Sequence, residues 1–292
     1  MSSRGVFVAC FLACLAVVAA PGMASAQAGE SGIAWQEGPA MGKLGDIAQI
    51  RIQEGYRFAG RDGVRRFMEL TQNPLSGEEL GVLVSAAGPA EQSWFVIFEF
   101  NSIGYVKDDE KGQLDADAIL KSLRAGNERG NEERRKRGWS TLDLEGWSTP
   151  PRYDTVTNNL TWAIRASSEG SEVINHSVRL LGRKGVMDAD LVLGPSQVAT
   201  AVPEFDKLLT GFEFSSGNRY AEWVKGDRVA EYGLTALVAG GVGAAAVKSG
   251  LLGKIWKALV FGVLAVGAAL KRFFASVFGS KEEKTEAGAP AQ

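Results

Sequence analysis

Three strand-length stretches, residues 160–166, 173–181 and 185–193, follow one another with only short Gly-containing turns between them. Turns this short join antiparallel strands, because a parallel pair needs a crossover of a dozen or more residues. An antiparallel sheet is therefore imposed on any fold this chain adopts. Residues 94–100, Trp-Phe-Val-Ile-Phe-Glu-Phe, are six-sevenths apolar and rich in aromatic and β-branched types, which predicts a central strand. Residues 49–52 alternate as a strand does, residues 142–147 are another strand candidate before Pro150-Pro151 breaks the run, and residues 212–214 close the series. Asp62 is expected to cap a short helix through Leu70, and Asp115 a longer one to about Arg137. Residues 203–209 read as a short helix ended near Gly211. Strands clustered together, with helices towards the two ends, favour α+β with a mainly antiparallel sheet and packed helices over doubly wound α/β.

The ends of the chain set an expected address. Residues 6–20 are apolar, follow one positive charge and precede Ala24-Ser25-Ala26, so residues 1–26 read as a signal peptide. Both cysteines, Cys10 and Cys14, fall inside it, which leaves residues 27–231 as an exported α+β domain without a thiol. Residues 232–274 read as a membrane anchor. One span is expected at about 251–270, where 20 residues would make a helix of about 30 Å, and residues 232–247 are a weaker candidate for a first span. Lys254, Lys257 and Trp256 suit the headgroup level. Residues 275–292 are expected to be a disordered tail. Charge divides at the same point: residues 27–231 carry 24 basic and 31 acidic side chains, a net of −7, and residues 232–292 carry 7 and 3, a net of +4. A basic, apolar tail suits membrane lipid as a partner, while a pI near 5.7 argues against nucleic acid.

Several motifs stand in a distinctive order. Gly104-Tyr105-Val106-Lys107-Asp108-Asp109 follows the aromatic stretch, and Asn131 and Arg134 precede Gly138. Gly146-Trp147, Pro151-x-Tyr153-Asp154 and Asn159-Leu160-x-Trp162-Ala163 come next. Asn175-x-x-x-Arg179-x-Leu181-Gly182-Arg183-x-Gly185-Val186-Met187 and Gly217-x-Arg219-Tyr220 complete the series. Together they resemble the DUF2167 family of bacterial membrane-anchored proteins over about residues 35–241. The resemblance implies an N-terminal signal, C-terminal apolar segments and a bacterial inner-membrane protein with its main domain in the periplasm. It brings no known activity, substrate or catalytic residue. The family has an aromatic residue where this chain has His176, which counts against an essential histidine.

The residues themselves offer little catalytic machinery. One histidine and no thiol after residue 26 exclude a cysteine nucleophile and a multi-histidine metal site. Alternation puts His176 on a face with Ile174, Val178 and Leu180, and Asn175, Ser177 and Arg179 on the other. The acids Asp108, Asp109, Glu110, Asp115 and Asp117 fail the EF-hand pattern, because Lys107 and Ala118 would occupy its first and twelfth ligand positions. Lys248-Ser249 lacks the glycine that precedes the lysine in a phosphate-binding loop. Asn127, Asn131 and Arg134 continue the leucine face of the predicted long helix. With Arg179 and Arg183 they are the candidate ligand-binding residues, and the alternative is a polar network that fixes helix to sheet. Trp139, Trp147, Tyr153 and Trp162 could line a groove or pack as a core. The expectation is an envelope protein that binds a partner without catalysis, with no cofactor, no metal and no catalytic residue. An envelope hydrolase using Asp108, Asp109 or Asp154 is the alternative, and it would need two of them opposed across a cleft.

Overall fold

The computed structural model describes residues 27–28 and 32–239, apart from residues 72, 74, 86–93 and 137. The signal peptide, the span at residues 251–270 and the tail lie outside the described residues. Among the described residues no helix is long and apolar enough to cross a membrane.

The three consecutive stretches form β9 (Asn159–Ser168), β10 (Ser171–Leu181) and β11 (Val186–Leu193), paired antiparallel. The aromatic stretch forms β7 (Phe95–Asn101) beside β11. The sheet continues through β6 (Glu79–Ser85), β5 (Tyr56–Gly60), β2 (Ala34–Glu37) and β1 (Gln27–Ala28), and its other edge is β8 (Asp143–Asp154). The order β1-β2-β5-β6-β7-β11-β10-β9-β8 puts β7 fifth of nine, the central place its composition predicts. The fold is α+β, with a large antiparallel sheet and few helices.

A second sheet of β3 (Ala40–Leu44), β4 (Ala48–Ile52) and β12 (Phe212–Phe214), together with helix α3 (Val198–Leu209), covers one face of the large sheet. Ile50, Ile52, Phe205 and Leu208 pack there on Val96, Phe98, Val178, Ala189 and Leu191. Phe58 crosses this layer so closely that a Cβ on Gly81 would meet its ring at 2.5 Å and one on Gly42 at 2.8 Å.

The opposite face carries α1 (Arg61–Leu70), α2 (Ala116–Lys136) and α4 (Leu234–Val238). Val64, Phe67 and Met68 of α1 bury against Val82, Val84, Phe95 and Ile97. Ile119 and Leu123 of α2 and Leu234 and Val238 of α4 bury against Leu160, Trp162, Leu181 and Val186. Each fully buried side chain of this size contributes about 1.5–3 kcal/mol. On the strands between these two apolar clusters the inward positions are polar.

Four local expectations change. Asp62 lies in the first turn of α1 and makes no capping hydrogen bond; the N-cap is Gly60. Pro150-Pro151 does not break β8, because an edge strand loses no ladder bond at a proline that faces outward, and bulges at Trp147/Thr149 and Thr149/Arg152 absorb the misfit. Helix α3 begins at Val198 and contains Pro203, whose missing N–H costs one bond near the helix start. The packed fold also runs past the expected boundary at residue 231: α4 is buried, and Thr235 N–H donates to Glu110 Oε2 at 3.0 Å. Residues 232–239 of the weaker span candidate therefore sit in the core, and residues 240–247 lie outside the described residues. Asp115 does act as expected, accepting the Ala118 N–H at 3.0 Å at the start of α2.

Candidate functional site

The polar positions of the central strands converge because antiparallel register aligns them. Glu79 on β6 is the register partner of Glu99 on β7, Glu99 of Asp188 on β11, and Asp188 of Arg179 on β10. A bulge between Glu79 and Gly81 turns Glu79 onto the same face as Glu99. Two residues further along β11, on the same face, Asp190 pairs with Ser177. Each of these residues is less than a tenth exposed.

Arg179 organises the row. Its Nε lies 2.9 Å from Asp188 Oδ1 and its Nη1 3.0 Å from Asp190 Oδ1, while its guanidinium carbon stands 4.8 Å from the centre of the Trp162 ring. Asn101 Nδ2 donates to Asp188 Oδ2 at 2.8 Å, and Ser177 Oγ to Asp190 Oδ1 at 2.5 Å. Glu79 accepts the backbone N–H groups of Ser76 and Gly77 at 2.5 and 3.0 Å. Glu99 receives Ser76 Oγ at 3.1 Å on Oε2; Oε1 is buried and has no hydrogen-bond partner among the described residues.

The electrostatics follow from that inventory. Burial pushes the Glu99 carboxyl well above the usual carboxylate range, and Asp188, Asp190 and Glu79 push it further. Burial also raises Asp188, to about 7, because desolvation and Asp190 outweigh the help from Arg179 and Asn101. Burial alone would lower Arg179, but Asp188, Asp190 and Glu99 together raise it. Tyr232, just before α4, is raised by its own burial and by Asp188.

The five candidate residues divide into three places. Asn127 and Asn131 both donate Nδ2 to the Leu142 carbonyl, at 2.7 and 2.6 Å, and Asn131 Oδ1 accepts the Leu142 N–H at 2.8 Å. Arg134 Nε donates to the Ser140 carbonyl at 2.5 Å, with its guanidinium 5.8 Å from the Trp139 ring centre. These three side chains hold α2 to the segment entering β8. Arg179 belongs to the charged row. Arg183 forms a two-pronged pair with Asp227, at 2.7 and 2.9 Å, and that hydrogen-bonded pairing holds Asp227 down to about 2.

The carboxylates considered for hydrolysis have other engagements. Asp154 Oδ1 accepts the Val156 and Thr157 N–H groups at 2.7 and 3.2 Å and so builds its own turn, which also lowers its pKa. Asp108 pairs with Lys111 at 3.1 Å. The carboxyls that do oppose each other with raised pKa are Glu99 and Asp188, neither of which was on that list. Their signal in the sequence was present but weak: single acids at alternate positions of otherwise apolar strands, which a buried strand tolerates only with partners. Among the described residues no group of three or more His, Cys, Asp and Glu side chains is arranged to hold a metal ion.

His176 is buried on the other face, edge-on to Phe205 of α3 at 5.8 Å, and its burial lowers its pKa. The four aromatic residues do not form one groove. Trp147 donates Nε1 to the Ala116 carbonyl at one end of α2, Trp139 lies beyond the other end, about 30 Å away along 21 residues, and Trp162 is buried under Arg179. A different aromatic set does assemble: Tyr105 stacks on Tyr220 at 4.5 Å and lies 5.2 Å from Trp223, with Val224 and Val229 exposed nearby in sequence.

No curated protein matches the sequence. Solved structures that resemble the fold include cyanobacterial PsbP (CyanoP) from Synechocystis sp. PCC 6803, 14% identical with a TM-score of 0.36, covering 70% of this chain and 98% of that one. Another is PA94 from Pseudomonas aeruginosa, titled a protein of unknown function and putative regulator, 11% identical with a TM-score of 0.26, covering 43% of this chain and 76% of that one. Similarity this low bears on neither chemistry nor partners. The family model does reach most of the chain: it matches residues 36–270 and is described as a protein of unknown function, so this chain belongs to the DUF2167 family.

Proposed function

We propose that this chain is a membrane-tethered envelope protein whose packed domain binds a protein partner without catalysis. The observation that carries this reading is the exposed apolar surface on the last segment before α4. Trp223, Val224 and Val229 are 37%, 53% and 37% exposed, on a segment braced by Tyr105 and Tyr220. Exposed aromatic and aliphatic side chains on a rigid base are what protein recognition uses. The family match supports a tether, because it takes in both the packed domain and the apolar run at residues 251–270. The hydrolase reading has less behind it, since Asp108 and Asp154 are committed to neighbouring groups.

The test has two arms. Full-length protein should sediment with membranes and resist alkaline extraction, and recovery in the soluble fraction would remove the tether. A photo-crosslinking residue at position 223 should yield a discrete protein adduct in cells, whereas one at Val156, on an exposed hairpin tip, should not. Equal labelling from both positions would remove the binding surface.

A further inference from the structure

Four carboxylates share one guanidinium in the row across the central strands; Arg179 bridges Asp188 and Asp190, Glu79 is held by the Ser76 and Gly77 N–H groups, and Glu99 has neither kind of support. Glu99 has an acid on each side as its register partner, Glu79 on β6 and Asp188 on β11. Like charges directly opposed on neighbouring strands repel, and burial leaves water and salt little room to screen them. Glu99 is 2% exposed, with Ser76 Oγ as its one hydrogen-bond partner and Oε1 facing none among the described residues. An ionised carboxylate in that position would be desolvated, repelled from two sides and nearly unbonded, whereas a neutral carboxyl removes the first two costs together.

We propose that the opposed Glu99–Asp188 pair is a proton-binding site, filled in the folded protein at neutral pH and emptied to solvent when the central strands separate. The groups that face it are Glu79 from β6, Asp190 from β11, Arg179 from β10, the Ser76 hydroxyl and Asn101 amide at its two ends, and Tyr232 from the segment before α4. Arg179 neutralises only part of this acid set, and the proton removes one further negative charge at the place where two acids oppose each other. The consequence is a contribution to stability from this pair that is fully present at acid pH and lost as pH rises. The sign follows from Glu99 itself: the unfolded chain releases this proton near pH 4.3, while the folded chain keeps it to higher pH, so stability is lost on going up in pH between those two points.

The full chain purified in detergent serves as the test, compared with Glu99→Gln, which keeps the shape and cannot ionise. Between pH 5 and 7 the folding constant of the unaltered protein should fall about tenfold more per pH unit than that of Glu99→Gln, the slope of one proton. Titrating groups away from the row are common to both proteins and cancel in that comparison, and Glu99→Gln/Asp188→Asn measured against Asp188→Asn removes the share that Asp188 takes when its neighbour cannot ionise. Infrared spectra of the unaltered protein at pH 7 should also show the carbonyl stretch of a protonated carboxyl. Identical pH slopes in the two proteins would overturn the proposal. If Glu99→Gln does not fold, the infrared spectrum decides alone: the band at pH 7 supports the site, and its absence overturns it.

Discussion

Arg179 is held by two buried carboxylates and one aromatic face, so its removal is a charge problem before it is a packing problem. Arg179→Met would leave Asp188 and Asp190 buried without their cation, a loss of about 3–5 kcal/mol at pH 7 by urea unfolding. Asp188 already has a raised pKa, so lowering the pH to 5 should return a proton to it and shrink the loss. An equal loss at both pH values would mean that the ion pair contributes little. His176 behaves in the opposite sense. Its pKa is lowered by burial, so the unfolded chain takes up its proton first as pH falls through about 6.5, and stability drops on the acid side. His176→Phe should abolish that acid-side drop, at about 1–3 kcal/mol or less from altered volume at pH 8. His176→Asp should be several kcal/mol worse there, because it sets a carboxylate against Phe205 and the apolar cluster. Thermal unfolding of both variants from pH 5 to 8 checks this, and a histidine required for chemistry would instead lose function in His176→Phe while the fold remained intact.

Among elements, α2 is attached to the sheet by polar contacts as well as apolar ones. Asn131 spans the Leu142 peptide as donor and acceptor, and Asn127 doubles the donation to the carbonyl. Asn131→Ala therefore strands the Leu142 N–H, at about 1–3 kcal/mol, while Asn127→Ala leaves the carbonyl one donor and should cost less. Denaturant midpoints for the two variants would show the order, and a reversed order would count against this reading of the joint. Helix α4 is the last described element and packs into the core. Leu234 and Val238 are buried among Val106, Ile119 and Leu123, so a truncation after Glu231 discards two core side chains, about 3–6 kcal/mol together. That is a large part of the 5–15 kcal/mol a domain holds. A truncation after Ala239 keeps both. The shorter product should aggregate or melt well below the longer one, and equal melting temperatures would place α4 outside the cooperative unit.

For the whole molecule, the large sheet has two unlike faces. One is covered without interruption by α3 and the small sheet, and the other is covered by α1 on one flank and by α2 and α4 on the other, with the charged row between. The long strands β9, β10 and β11 and the central β7 were readable in the sequence, because period-two alternation, aromatic content and short Gly turns are local properties that no distant residue has to supply. The opposite faces of Ile174, His176 and Val178 and of Asn175, Ser177 and Arg179 were readable for the same reason. Tertiary structure alone decided that β12 leaves the main sheet to pair with β4, that Pro150-Pro151 is tolerated at an edge, and that Leu234 and Val238 of α4 pack into the core. It also decided the charged row. Glu79 and Glu99 lie on β6 and β7, Arg179 and Asp188 on the distant hairpin of β10 and β11, and only the pairing of β7 with β11 brings the two sets side by side. A local pattern states which side of a strand a residue faces, but the partner across the ladder depends on chain order and a bulge at Gly81, so the place where acids oppose each other becomes visible only once the sheet has formed.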